Sequence, residues 1–304
     1  MSTDSVLARP PRLDFVLLAV AVLAISASAP IIAAIAAPAL AIAFWRCLLG
    51  AAATGAWVAV RQRAEVRRLS RQQWRLIIVS GLLLGAHFAT WIPSLRFTSV
   101  ASSTALVATQ PVWAALIARS RGVHIPRRAW AGIGIALFGV LVLTGIDASI
   151  DPRHLIGDLL ALIGAVFAAL YVSVAEAARK TVSTSTMTLG LYASSAALLL
   201  VLCLVLRQPL AGYSARDWAL IILLTLTAQL LGHTLINRVL ATTSATITSL
   251  AILFEMPGAT IIAALAIGQL PPLSIIPAAA LLFIGLAMVI RSARSPTPME
   301  SPPI

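Results

Sequence analysis

The sequence predicts an all-α integral membrane protein with ten transmembrane helices in two inverted five-helix repeats. The first observation is composition: the 304 residues are 60% hydrophobic and only 11% charged, and their mean hydropathy is +0.98. A soluble domain of this length could not solvate so much apolar surface. The second observation is that the apolar residues form ten runs long enough to cross a bilayer as helix, and the third is an internal repeat.

The repeat relates two stretches in which polar residues interrupt apolar sequence. Residues 87–111 read HFATWIPSLRFTSVASSTALVATQP, and residues 233–257 read HTLINRVLATTSATITSLAILFEMP. Histidine begins and proline ends both stretches at a constant offset of 146 residues, and the same offset relates Gly139 to Gly285. Such self-similarity predicts that the chain consists of two related halves.

About 20 apolar residues are needed for a helix to cross the membrane. The ten predicted spans are 15–35, 39–60, 74–95, 99–118, 129–145, 156–177, 185–206, 217–237, 244–267 and 272–290. They define a cytoplasmic N-terminal segment 1–14, a first repeat 15–145, a second repeat 156–290 and a disordered cytoplasmic tail 291–304. A cleavable signal peptide is the alternative for the first run, but apolar sequence continues beyond its small-residue motif at 27–29, which favours a retained span.

Arginine and lysine residues concentrate in alternate loops. With a cytoplasmic N-terminus, the loops and termini on that side carry seventeen of them and the opposite loops carry four, while Arg46 lies inside a span. The positive-inside rule therefore predicts that both termini are cytoplasmic. Since these loops account for the net charge of +12, we predict no nucleic-acid partner.

Five spans in each half is an odd number, so the second half enters the membrane in the opposite orientation. Inverted repeats are a common plan of secondary transporters, which place the substrate near the membrane midplane between the halves. The sequence contains no zinc-protease helix motif, no hydrolase nucleophile motif and no acidic cluster for a metal. We therefore predict no enzyme activity, no cofactor and no metal.

Two histidines occupy equivalent positions in the repeats. In the third span His87 and Trp91 share one helical face, and in the eighth span His233 and Asn237 do the same. Such side chains are costly when they face lipid, so we expect them to face the interior and to line a substrate site. The alternative is that each imidazole only hydrogen-bonds a neighbouring helix and holds the bundle together.

Glu255 lies about twelve residues into the ninth span. An ionised acid near the middle of a bilayer costs on the order of 3 kcal/mol unless it is paired or hydrated. Intramembrane acids therefore indicate a functional site, and Glu255 could bind a proton or a cationic group during transport. The alternative is a static charge pair with Arg46, the basic residue deep in the second span.

Prolines are expected to interrupt three spans. Pro93 falls in the third span, and Pro111 and Pro257 fall at equivalent places in the fourth and ninth. Each proline removes a backbone donor and frees the carbonyl four residues earlier, which must find a partner or line a wet cavity. The further residues that we assign to the site are Thr109 and Gln110, directly before Pro111, and Tyr171 as an aromatic wall.

The inverted ten-span plan, together with the phrases FTSVASSTALVATQP and GHTLINRVLATTSATITSLAILFEMP, resembles the drug/metabolite transporter superfamily, and specifically its bacterial EamA-type members. The resemblance covers about residues 15–290. It implies a carrier in the bacterial inner membrane with a central cavity between spans 1, 3, 4, 6, 8 and 9. Such families mostly export amino acids and related small metabolites. Here Met256 separates Glu255 from Pro257, whereas family members often have glutamate directly before proline.

The predicted function is export of amino acids or related small polar metabolites by alternating access around a midplane cavity, coupled to protons. The expected partners are a small-molecule substrate, membrane lipid, a proton and a second copy in a homodimer, for which the apolar fifth and tenth spans offer a peripheral contact. One alternative is an uncoupled facilitator or an exporter of hydrophobic drug-like compounds. Another is a membrane-embedded enzyme or receptor subunit.

Overall fold

The computed structural model describes residues 10–98, 100–144, 152–267 and 273–292. The first nine residues of the predicted N-terminal segment and the predicted disordered tail from residue 293 onward lie outside the described residues. Within the described ranges, all regular secondary structure is helical. This agrees with the predicted all-α class.

Fifteen α-helices and one π-helical segment make up the described chain. They are α1 (Arg12–Ser26), α2 (Ser28–Ala34), α3 (Ala39–Arg61), α4 (Arg63–Arg68), α5 (Arg71–Ser94), α6 (Val100–Val107), α7 (Gln110–Ser120), α8 (Arg127–Thr144), α9 (Pro152–Arg179), α10 (Thr184–Val205), α11 (Ala215–Leu224), the π segment (Thr225–His233), α12 (Thr234–Val239), α13 (Ala245–Ile252), α14 (Glu255–Ile267) and α15 (Ile275–Ser292).

In the part of the chain that the structure describes, eight helical stretches are long and apolar enough to cross a membrane. The two predicted spans outside this set are the fourth and the fifth. The fourth is divided between α6, with 8 residues, and α7, with 11 residues, and neither piece can cross a bilayer alone. The fifth is α8, whose 18 residues begin with two arginines. The structure thus supports a multi-pass membrane protein, and the count of ten stays a prediction.

The apolar core has two main parts. The larger part joins α1, α2, α3, α5, the end of α9, α10, α11, the π segment, α12 and the first residue of α13. The smaller part joins α7, α8, α13 and α15, with Ile133 and Leu282 among its fully enclosed side chains. Both parts draw matching spans from the two halves, since the first consists mainly of spans 1 to 3 and 6 to 8 and the second of spans 4, 5, 9 and 10.

The packing of α8 against α15 relates the two repeats most directly. A Cβ atom added to Gly132 would lie 2.7 Å from the carbonyl oxygen of Gly285, and one added to Gly139 would lie 3.0 Å from that of Ala278. Gly132 and Ala278 are counterparts at the offset of 146 residues, and so are Gly139 and Gly285, so the two contacts are equivalent. The residue numbers rise along one helix and fall along the other, so these equivalent helices run antiparallel.

The second pair of equivalent helices, α3 and α10, is also antiparallel. Gly50 lies against Tyr192, and Gly55, further along α3, lies against Leu189, which comes earlier in α10. A two-fold axis in the membrane plane would make equivalent helices antiparallel in this way. The two pairs α3–α10 and α8–α15 would then lie across that axis.

Spans 4 and 9 are broken at equivalent positions. α6 ends at Val107 and α7 begins at Gln110, while α13 ends at Ile252 and α14 begins at Glu255. Pro111 and Pro257 therefore lie in the first turn of a new helix, where a missing N–H costs little. The carbonyl of Leu253, which we expected to be free, accepts a hydrogen bond from the N–H of Met256 at 3.2 Å.

Two features of spans 3 and 8 differ from the sequence-based expectations. At Pro93 the helix is not divided, since α5 continues through this proline and ends one residue later at Ser94, and the predicted kink there stays a prediction. In span 8, Thr225–His233 forms a π-helix between α11 and α12. The shared face predicted for His233 and Asn237 assumed α-helical spacing, whereas His233 ends the π segment and Asn237 lies in α12. Such segments frequently occur at functional sites.

Candidate functional site

Arg46 occupies the centre of the bundle. Its side chain is completely buried, and its Nε donates a hydrogen bond of 2.8 Å to Oε1 of Gln229 in the π segment. The guanidinium carbon lies 4.4 Å from the centre of the Phe88 ring, in a cation–π arrangement. The two terminal nitrogens, NH1 and NH2, are buried without a hydrogen-bond partner.

Tyr192 occupies the position in α10 that corresponds to Arg46 in α3, at the offset of 146 residues. Its hydroxyl donates to the backbone carbonyl of Gln229 at 2.8 Å and lies 3.1 Å from Oγ1 of Thr234. Thr234 is in turn the counterpart of Phe88. The contacts of Arg46 with Phe88 and of Tyr192 with Thr234 are therefore equivalent, although their chemistry has diverged.

An aromatic cluster lies beside the guanidinium. The rings of His87 and Trp91 are stacked with centroids 5.7 Å apart, and Phe88 meets His233 edge to face at 5.6 Å. Nδ1 of His87 donates to the carbonyl of Gly164 at 2.9 Å, which is the helix-holding bond considered as the alternative role. Nδ1 of His233 and Nε1 of Trp91 are buried without a partner. The structure thus brings both predicted histidines and Trp91 into one cluster.

Tyr171 and Asn237 form a buried pair next to His233. The Tyr171 hydroxyl donates to Oδ1 of Asn237 at 2.9 Å, and Nδ2 of Asn237 donates to the His233 carbonyl at 2.9 Å. Arg179 donates from Nε to the Asn237 carbonyl at 2.9 Å. Both Oδ1 and Nδ2 of Asn237 therefore have a hydrogen-bond partner, which suits a residue that fixes helix positions.

Thr109 and Gln110 make contacts of their own at the break of span 4. Nε2 of Gln110 donates to Oγ of Ser249 in α13 at 3.0 Å, and Nε1 of Trp113 donates to Oγ1 of Thr109 at 3.2 Å. The Gln110–Ser249 bond thus joins the broken spans 4 and 9, whereas the bond to Thr109 stays within span 4. The hydroxyl of Thr248, next to Ser249, is buried without a partner.

Glu255 begins α14 at the break of span 9, and Thr109 is its counterpart in the first repeat. A carboxylate at this end of a helix is stabilised by the backbone N–H groups and the helix dipole. Arg46 interacts electrostatically with Glu255 but donates its side-chain hydrogen bond to Gln229, and its terminal nitrogens have no partner. The predicted charge pair is therefore not hydrogen-bonded in this structure.

Sequence reasoning did not assign Phe88, Tyr192, Gln229 or Thr234 to the site. The repeat could have indicated Tyr192, because it lies 146 residues after Arg46. The contact of Gln229 with Arg46 had no comparable signal, since the two residues are 183 positions apart and the counterpart of Gln229 is Leu83.

The fold and the site define a multi-pass membrane protein whose related halves enclose ionisable and polar side chains. The model of the EamA-like transporter family matches residues 14–145 and again residues 155–291, so the chain belongs to this family and carries one copy of the repeat in each half. The family places it among membrane transporters of the drug/metabolite type.

Among solved structures, one chain with 20% sequence identity has a TM-score of 0.75, with 91% of this chain and 96% of that chain covered. It is described only as a crystal structure of a protein, and at this identity the likeness shows the fold alone. No curated protein matches the chain.

Proposed function

We propose that the protein is a secondary transporter of the bacterial inner membrane with ten spans and cytoplasmic termini. In this proposal the two repeats are inverted and rock around a central site, so that the site opens to either side in turn. The antiparallel packing of α8 with α15 and of α3 with α10 supports the inversion. The seventeen basic residues on one side of the predicted topology support the orientation.

The observation that carries the proposal is the pair of equivalent helix breaks beside buried ionisable groups. Broken helices at membrane depth are tolerated where protein or a wet cavity satisfies the backbone, and in transporters such half-helices surround the substrate. Here the breaks precede Gln110 and Glu255, and Glu255 interacts electrostatically with Arg46. A protein that only needed to anchor itself would have no use for this costly arrangement.

The substrates in this proposal are amino acids or related small polar metabolites, which leave the cell in exchange for protons. Glu255 is the proposed proton carrier, and His87, Trp91 and His233 line the cavity. Thr109, Gln110, Tyr171 and Asn237 position the helices around it. An apolar face of α8 and α15, which includes the exposed Phe138 and Phe283, is the proposed contact with lipid or a second copy.

Counterflow in proteoliposomes tests the proposal. Vesicles that contain the purified protein are loaded with one amino acid or small metabolite at a time, and uptake of the labelled compound is followed with and without a pH gradient. Exchange that depends on the protein supports the carrier. If folded protein exchanges nothing across a broad panel, the proposed substrate class is wrong.

An uncoupled facilitator is the second candidate function. It would use the same cavity, and a pH gradient would then change neither the rate nor the final level of uptake. The two candidates therefore differ in one measurable quantity, the accumulation of substrate above its equilibrium concentration.

A further inference from the structure

The terminal nitrogens of Arg46 are an unusual feature of the central site. The whole side chain is buried, and NH1 and NH2 neither contact solvent nor donate a hydrogen bond to the protein. A buried polar group without a partner loses its full hydration, and the loss is larger when the group is charged. Almost all buried polar atoms in native proteins are paired, so an unpaired guanidinium calls for a functional explanation.

The surroundings of Arg46 hold its guanidinium in one orientation. Gln229 accepts the hydrogen bond from Nε, and the Phe88 ring lies against the face of the group at 4.4 Å. Tyr192 donates a hydrogen bond to the backbone carbonyl of Gln229 and so helps to fix the position of that residue. The edge that carries NH1 and NH2 is therefore left free while the rest of the group is fixed.

Two parallel N–H groups on the edge of a fixed guanidinium match the two oxygens of a carboxylate. Among the described residues, Glu255 is the carboxylic acid that interacts electrostatically with Arg46, but its carboxylate is not hydrogen-bonded to this edge. Because Arg46 and Glu255 are not hydrogen-bonded to each other, this acid does not occupy the guanidinium edge. The His87 and His233 rings also lie within electrostatic reach of Arg46, and neither is an acid that could bind this edge as a carboxylate does.

The charged groups of the site have no charged counterparts in the other repeat. The counterpart of Arg46 is Tyr192, which carries no positive charge and already donates its hydroxyl to Gln229. The counterpart of Glu255 is Thr109. The cationic and acidic groups thus occur once each, and a substrate with two charged ends would bind in a single orientation.

We propose that Arg46 binds the carboxylate of the substrate through NH1 and NH2, so that the site selects carboxylic acids and α-amino acids over their uncharged or purely cationic analogues. The ammonium group of an α-amino acid then faces Glu255. This inference rests on the proposed transport function and names its substrate class. Because NH1 and NH2 are closed off from solvent here, the carboxylate reaches them in a state in which the two halves have moved apart.

The test compares matched compounds on the unmodified protein in the counterflow assay. Each α-amino acid is compared with its α-carboxamide, which keeps the ammonium group, and with the corresponding carboxylic acid, which lacks it. We expect the carboxamide to require a concentration about 10- to 100-fold higher than the amino acid for the same exchange, because it lacks a charge-assisted hydrogen bond. Equal exchange of the acids and the carboxamides would overturn the role of Arg46 and leave the transport function standing.

The variant Arg46→Gln provides the second arm. It should exchange amino acids and carboxamides equally poorly, because the group that distinguishes them is gone. If the variant folds and still prefers the amino acid, another residue binds the carboxylate and the proposal is wrong. If the variant does not fold, the comparison on the unmodified protein decides alone. Failure of the unmodified protein to exchange any compound would refute the proposed function itself, and this inference with it.

Discussion

Replacement of Gly285 by alanine should destabilise the protein by separating α8 from α15. The new Cβ atom would lie 2.4 Å from the carbonyl oxygen of Gly132 and 2.8 Å from the Cβ of Ala136. Ordinary van der Waals contact begins at 3.4 Å, so the helices must move apart by about 1 Å. The clashing atoms belong to the backbone and Cβ of a packed helix, so no side-chain rotation can relieve the clash. Overpacking of this kind costs up to about 3 kcal/mol.

Gly134→Ala is the matched control for this change. Gly134 also lies in α8, but a Cβ atom there meets nothing within 4 Å. Alanine is the better helix former by about 1 kcal/mol, a gain that both variants share. The free energy of unfolding should then fall by about 2 kcal/mol for Gly285→Ala and rise by about 1 kcal/mol for the control.

These free energies predict opposite shifts in thermal stability. With roughly 2 to 4 °C per kcal/mol, the unfolding midpoint of Gly285→Ala should fall by about 4 to 8 °C and that of Gly134→Ala should rise slightly. Heating of the purified protein in detergent, followed by its tryptophan fluorescence, measures both midpoints. If Gly285→Ala is as stable as the control, the close approach of α8 and α15 and the two-fold relation drawn from it are wrong.

Two further predictions concern hydrogen bonds away from Arg46. Partial burial raises the pKa of Glu65, but hydrogen bonds from Ser183 and Thr186 outweigh this effect and hold the pKa below its ordinary value. Glu65→Gln should therefore lower the unfolding midpoint at neutral pH, and its deficit relative to the unmodified protein should disappear as the pH falls through the lowered pKa of Glu65 and the carboxylate becomes protonated. Tyr171→Phe leaves the buried Oδ1 of Asn237 unpaired and should cost about 1 to 3 kcal/mol in the free energy of unfolding, whereas an unchanged midpoint would show that this amide has found another partner.

The sequence predicted those parts of the fold that follow from local composition and from the repeat. Apolar runs with few charges define helices wherever they occur, because the backbone must be satisfied internally in a membrane. The offset of 146 residues, which pairs Gly139 with Gly285, also anticipated the equivalence that the α8–α15 packing displays. The helix breaks before Pro111 and Pro257 follow from the missing N–H of proline.

The site was less predictable because its contacts join residues far apart in the chain. Arg46 was considered only as a partner of Glu255, yet its hydrogen bond goes to Gln229, which a local pattern cannot reveal. The π segment that carries Gln229 has no recognised sequence signal either. Pro93 was expected to break span 3, but it lies in the last turn of α5, where the helix ends in any case.

The central claim is transport driven by a proton through Glu255, and counterflow with an imposed pH gradient tests it most directly. The unmodified protein should accumulate an amino acid only when the gradient is present, and Glu255→Gln should keep exchange while losing that accumulation. Glu176→Gln is the control, since Glu176 is a second acid near a span end whose carboxylate accepts the backbone N–H of Ala245. Accumulation by Glu255→Gln equal to that of the control would contradict the account.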